Sequence, residues 1–161
     1  MGSRISVAAV VLAVALAACG KSGGDETAAA PEPVAQLTPA EKAAVLASLP
    51  APYNTADLKN GEMKFTLCKS CHTIEAGGPN MTGPNLYGVF GRKAGMGKDY
   101  SYSDAVKAAG FVWDAEHLDQ WLANPRTFMP GTKMTFAGLP APKDRIDLIA
   151  YLKVESGYKP Q

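Results

Sequence analysis

Cys68-Lys69-Ser70-Cys71-His72 is the stretch of this 161-residue chain best equipped to do chemistry. Two thiols three positions apart can each close a thioether on a vinyl group at the edge of a porphyrin, while the imidazole beside the second coordinates iron from below. Such an attachment needs no preformed pocket, so a small domain can keep a cofactor it could not otherwise hold. Two other uses of paired cysteines fit less well. A zinc site requires four ligands, and the chain offers only one other cysteine and one other histidine, Cys19 and His117, both far away in sequence. A thioredoxin-like dithiol requires a βαβ setting that the surrounding sequence does not supply. The pentapeptide therefore points to one covalent haem c.

Iron held by one histidine needs a second axial group for fast electron transfer, and a soft thioether stabilises the ferrous form. Met81, Met96, Met129 and Met134 follow the motif. Met134 lies in Pro130-Gly131-Thr132-Lys133-Met134, where proline and glycine can bend a loop so that the sulfur points inward. Methionine is more often core filler than a ligand, and His117 is a competing donor, although its place in the first turn of a predicted helix suits a solvated or capping role. From the residues alone Met134 is the first choice among several.

The elements that must position these groups read as helices and glycine-rich loops. Leu58, Gly61 and Phe65 share a helical face leading into the motif; Asn54 or Thr55 is expected to cap it, and Gly61 permits close approach of another helix. After His72 come Gly77-Gly78-Pro79-Asn80, Gly83-Pro84-Asn85-Leu86, Gly88, Gly91, Gly95 and Gly97, the pattern of loops wrapped against something flat. Three helices are expected beyond them: near Ser103 to Ala109, from about Asp114 to Ala123 with Asn124-Pro125 as its stop, and from about Lys143 to Glu155 with Gly157 as its end. In the last, Ile146, Ile149, Ala150 and Leu152 are predicted to form the buried stripe.

The N-terminal third has a different character. Arg4 precedes a 14-residue run, Ile5 to Ala18, too short to span a bilayer comfortably, and the two read as an export signal over residues 1–18. Leu16-Ala17-Ala18-Cys19 resembles the lipobox of bacterial lipoproteins, which implies lipidation of Cys19; ordinary cleavage after Ala15-Leu16-Ala17 is the alternative. Residues 19–53 are then expected to be a lipid anchor and an Ala/Pro-rich tether, with an r.m.s. reach of roughly 30 Å as a flexible coil. Within it Thr38-Pro39-Ala40-Glu41 has the form of a capping box and predicts a short helix to about Leu49. Residues 54–161 form the expected cofactor domain. Lys and Arg number 16 against 15 Asp and Glu, with no concentrated basic face to suggest nucleic acid.

From about Gly61 to Leu152 the chain resembles the class I c-type cytochromes of the mitochondrial and α-proteobacterial short-chain type. The resemblance is carried by Cys68 to His72, Gly83-Pro84-Asn85-Leu86-Tyr87-Gly88-Val89-Phe90-Gly91-Arg92, Tyr100-Ser101-Tyr102, Trp113, Asn124-Pro125, Pro130 to Met134, Phe136-Ala137-Gly138 and Leu148-Ile149-Ala150-Tyr151-Leu152. It implies an all-α fold of about four to five helices and Gly-rich loops around one haem. It also implies thioethers on Cys68 and Cys71, His72 and Met134 as axial ligands, and the Pro84 carbonyl on the outer nitrogen of His72. Arg92, Tyr102, Ser103 and Trp113 match positions that neutralise or hydrogen-bond a buried propionate, whereas Thr132 and Phe136 match positions on the methionine side. Plain core packing is the other account of most of these residues.

Departures from the family accompany the match. Trp121 stands where the family often has tyrosine, and Val106 where it often has asparagine, which implies an altered potential and altered Met134 ligation. The lysine ring of mitochondrial relatives is thin: Lys133, Arg126 and Lys69 remain, beside Leu67, Pro79, Met81, Pro140 and Ala141. Electrostatic steering is expected to be weak. The resemblance implies an electron carrier, not an enzyme, and no acid, base or nucleophile constellation is present in the sequence. The expected protein is a monomer, lipid-anchored on the periplasmic side of a bacterial membrane, passing single electrons from quinol:cytochrome c reductase to a terminal oxidase. Alternatives are a dedicated electron acceptor of a periplasmic dehydrogenase, and a haem peroxidase or gas sensor.

Overall fold

Each helix begins where a side chain takes up the free backbone N–H groups of its first turn. The computed structural model describes residues 36–158; the signal segment and Cys19 lie outside the described residues. Helix α1, Pro39–Ser48, opens with the expected capping box: the Thr38 hydroxyl accepts from the Glu41 N–H at 3.3 Å, and the Glu41 carboxylate accepts from the Thr38 N–H at 2.7 Å. Helix α1 buries none of its own residues, as its small alanines lead one to expect. It is nonetheless docked. Its C-cap Leu49 is buried, and Lys42 pairs with Glu155 at 2.6 Å.

A short 3₁₀ turn, Tyr53–Thr55, leads to α2, Leu58–Phe65. Asn54 and Thr55 fall inside that turn and are not the cap. Asp57 caps α2 instead, its carboxylate accepting from the N–H groups of Lys59 and Asn60 at 2.9 and 3.1 Å. The turn takes up Asn54 and Thr55, and the Asp57 carboxylate suits the positive end of the helix. Helices α3 (Asp104–Ala108), α4 (Ala115–Ala123) and α6 (Pro142–Glu155) follow, close to their expected limits. Asn124-Pro125 stops α4 but at once starts α5, Pro125–Phe128: the Asn124 side chain accepts from the Thr127 N–H at 3.1 Å. Beyond α1, the five α-helices α2 to α6 match the four to five expected of the cofactor domain. The rest of the described residues are loops, in which one antiparallel bridge joins Lys93 and Val112.

The core is organised around α6. Helix α2 crosses it at Gly61, where an added Cβ would lie 2.6 Å from the Cβ of Tyr151 and on the carbonyl of Asp147; no side chain fits. Phe65 is buried beside Tyr151 with ring centroids 5.5 Å apart, and complete burial of such a side chain stabilises by roughly 2–3 kcal/mol. Helix α6 is buried on more than the expected stripe. Leu148, Ile149, Ala150, Leu152 and Val154 are all inside, whereas Ile146 is only half-buried. Two charged residues are buried in α6 as well. Asp147 accepts from the Asp57 N–H at 2.9 Å, Asn60 Nδ2 at 2.8 Å and Lys143 Nζ at 2.8 Å. The Lys153 ammonium lies over the rings of Tyr53 and Phe90, each at 5.3 Å, and of Tyr158 at 4.7 Å.

Candidate cofactor site

The turns that continue from α2 bring the pentapeptide to one wall of a cleft. Cys68 N–H donates to Phe65 O at 2.8 Å and His72 N–H to Cys68 O at 2.9 Å, so the chain coils tightly and presents both sulfurs and the imidazole to the same space. That space is a cleft of about 340 Å³ with a mainly apolar lining.

His72 is held from behind. Its Nδ1 lies 2.7 Å from the carbonyl of Pro84, an acceptor, so Nδ1 carries the proton and donates, and Nε2 is left with its lone pair. Burial lowers the His72 pKa against the opposing pull of that carbonyl, which keeps the ring neutral. Gly83 makes the fit possible: an added Cβ would stand 2.6 Å from Nε2 and 2.7 Å from Nδ1. The Gly83 N–H also donates to Cys71 O at 2.8 Å, fastening the loop to the motif. Burial, with the neighbouring Cys71 adding to it, pushes the Cys68 thiol up to about 11. Both thiols are free.

Met134 lines the cleft, and its N–H donates to the Thr132 hydroxyl at 3.2 Å. The other candidate donors do not reach it. Met81 and Met96 are exposed, and Met129 is buried in the core away from the cleft lining. His117 stacks on Phe111 with centroids 4.2 Å apart, and its Nδ1 lies 2.8 Å from the carboxylate of Asp114, which caps α4. Thr132 and Phe136 lie on the same loop as Met134 and also line the cleft. Past Phe136, Gly138 takes a φ of 99° and sits against the Ala123 carbonyl, and Leu139 N–H donates to Leu122 O at 2.7 Å. The methionine loop is thereby sewn to the end of α4.

Arg92, Tyr102, Ser103 and Trp113 complete the polar side of the lining. The Arg92 guanidinium donates to Tyr87 O at 3.3 Å and Asn85 O at 3.2 Å, and no carboxylate pairs with it among the described residues. The Ser103 hydroxyl accepts from the Val106 N–H at 3.4 Å as the cap of α3, which leaves its own proton free to donate. Burial raises the Tyr102 phenol pKa, so it remains a donor. Every residue expected to touch the cofactor in the domain thus lines one cleft. Trp121 and Val106 line it too, with Trp121 edge-on to Trp113 at 5.5 Å.

What the sequence reading missed is the clasp of the glycine-rich loop. Asn80 Nδ2 donates to Lys98 O and Asp99 O at 2.9 and 3.0 Å, its Oδ1 accepts from the Asn85 N–H at 2.9 Å, and Asn85 Nδ2 reaches the Thr73 hydroxyl. Tyr100 O–H donates to Thr82 O at 2.6 Å. Two Gly-Pro-flanked asparagines were the available signal, since such side chains commonly tie loop backbone.

Comparison with known proteins decides what the cleft is for. A family model described as cytochrome c matches residues 58–154. The chain belongs to the cytochrome c family. It is 48% identical over 105 residues to the cytochrome c of Kluyveromyces lactis, covering 65% of this chain and 96% of that one. It is 42% identical over 134 residues to a cytochrome c homolog of Bradyrhizobium diazoefficiens, covering 83% of this chain and 64% of the relative. Among solved structures it is similar to cytochrome cH from Methylobacterium extorquens, with a TM-score of 0.57 and 49% identity over 61% of this chain and 98% of that one. Members of this family bind haem c covalently through a Cys-x-x-Cys-His motif, and Cys68, Cys71 and His72 are that motif here. The cleft fits the group. It offers two free thiols, an imidazole whose Nε2 is unengaged, one thioether, an apolar lining and one guanidinium with no carboxylate partner.

Proposed function

We propose that this family member is a membrane-tethered electron carrier that passes single electrons from quinol:cytochrome c reductase to a terminal oxidase. The observation that carries the reading is the donor set of the cleft: among the described methionines and histidines, only His72 and Met134 line it. When bound, haem c supplies the one-electron iron couple. Cys68 and Cys71 would hold it through thioethers, and His72 Nε2 and the Met134 sulfur would be the two protein donors to its iron. Pro84 fixes the His72 tautomer and raises its basicity. Arg92, with the donors of Tyr102, Ser103 and Trp113, would receive a propionate whose burial would otherwise be costly. Thr132 holds the methionine loop, and Phe136 shields the methionine side from water.

The anchor rests on Leu16-Ala17-Ala18-Cys19: a lipidated Cys19 would hold the domain on the periplasmic face of the membrane. Visible spectra of the exported protein are the first test. A low-spin ferric form and a ferrous form slow to bind carbon monoxide are expected, and Met134→Ala should keep the haem covalently attached while opening the iron to carbon monoxide. A high-spin wild-type protein would overturn the axial pair and favour a peroxidase or gas sensor. Turnover with reductase and oxidase from the same membranes tests the partners; inertness with both would assign the protein to a periplasmic dehydrogenase. Cys19→Ala is expected to move it from the membrane to the soluble periplasmic fraction, and retention would remove the tether.

A further inference from the structure

The mouth of the cleft presents apolar side chains where charge could have stood. Leu67, on the lining, is 56% exposed, and Met81, next to the lining residue Thr82, is 46% exposed. Met63, one turn before Leu67, is exposed as well. The lysines of this region are drawn back onto the chain, and Arg126 stays exposed. Lys133 Nζ donates to Ser101 O at 3.0 Å, and Lys69 Nζ lies over the buried Phe65 ring at 5.8 Å. Lys64 is paired with Asp144 at 2.9 Å. Among the described residues no Asp or Glu lines the cleft.

We propose that the surface around Leu67 and Met81 docks an uncharged, apolar rim on the redox partner, with apolar contact rather than paired charges setting the lifetime of the complex. The inference rests on the carrier reading above and specifies the kind of partner face that reading needs. An acidic partner rim would meet one lysine folded onto a carbonyl and another folded onto a ring; each would have to give up a local contact before it could pair. Leu67 and Met81 are already exposed, so covering them releases water. Methionine adds a side chain that adapts its shape to more than one partner. Complexes of this kind lack long-range steering, and their rates respond weakly to salt.

The test uses the full haem-loaded chain and quinol:cytochrome c reductase purified from the same cells, with second-order rates followed by stopped flow. Between about 20 and about 300 mM salt the wild-type rate is expected to change by less than about threefold, whereas steered pairs change far more. Leu67→Ala combined with Met81→Ala is expected to slow the reaction about tenfold, the size of an interface anchor, and Lys133→Ala to slow it less. Visible spectra of each variant separate lost docking from lost cofactor. A wild-type rate that falls tenfold with salt, or a greater loss with Lys133→Ala than with the Leu67 and Met81 pair, overturns the apolar surface while leaving the carrier intact. A wild-type protein inert toward both the reductase and an inorganic one-electron reductant fails the carrier reading and takes the docking surface with it.

Discussion

The carboxylate of Asp147 accepts the backbone N–H of Asp57 at 2.9 Å, joining two residues 90 positions apart. Asp147 is fully buried and also binds Asn60 and Lys143, so one side chain of α6 fixes the start of α2. Burial alone would raise its pKa, but the hydrogen bonds from Lys143, Asn60 and Asp57 hold it below the ordinary carboxylate range. A depressed native pKa contributes stability that is present above the unfolded value and is lost as pH falls through the native one. Thermal unfolding of the loaded protein is therefore expected to show an acid limb below about pH 4. Asp147→Ala should cost on the order of 2–3 kcal/mol at neutral pH and flatten that limb. An unchanged acid limb in the variant would rule out Asp147 as its source.

Gly61 tests the crossing of α2 and α6. An alanine methyl there would stand 2.6 Å from Tyr151 Cβ, with backbone on its other side. Gly61→Ala gains helix propensity of about 1 kcal/mol, yet the forced separation of the helices is expected to outweigh it by about 1–3 kcal/mol. Denaturant unfolding reads the difference, and a stabilised variant would show that the crossing is loose.

Gly83 tests the seat of the imidazole. The Gly83→Ala methyl would occupy the place of the His72 ring, so the ring must turn and loosen its 2.7 Å contact with Pro84. The thioethers should survive, because Cys68 and Cys71 are not displaced. The visible spectrum is expected to shift, with a loss of about 1–3 kcal/mol in denaturant unfolding. A native spectrum would show that Gly83 is dispensable.

Lys42→Ala tests whether α1 is held to α6. The Lys42–Glu155 pair is partly exposed, and such contacts are worth about 0.2–1 kcal/mol. Global stability should scarcely move, whereas amide exchange across 39–48 should rise relative to α6. Equal protection in both proteins would leave Leu49 as the sufficient anchor.

What could be read in advance follows the range of each interaction. Cys68 to His72 is a local motif, and the Thr38–Glu41 capping box acts within one turn, so both were visible as strings of residue types. The choice among Asn54, Thr55 and Asp57 was not, because three competent caps stand within four positions and a three-residue turn that takes up the first two leaves no pattern. Four-residue α5 is too short to leave a period. Asp147 is illegible for a different reason: a carboxylate between Ile146 and Leu148 looks like the wet side of a helix until Asp57 and Asn60 are brought to it from 90 and 87 positions away. For the same reason the capping box announced α1 but not its contact with Glu155.

Lys153 is enclosed by Tyr53, Phe90 and Tyr158, that is, by the turn before α2, the glycine-rich loop and the last described residue. Ring faces have no proton to gain in acid. As the solution is acidified and Asp147 gives up its hold on the start of α2, the contact of Lys153 with its three rings contains no carboxylate to protonate.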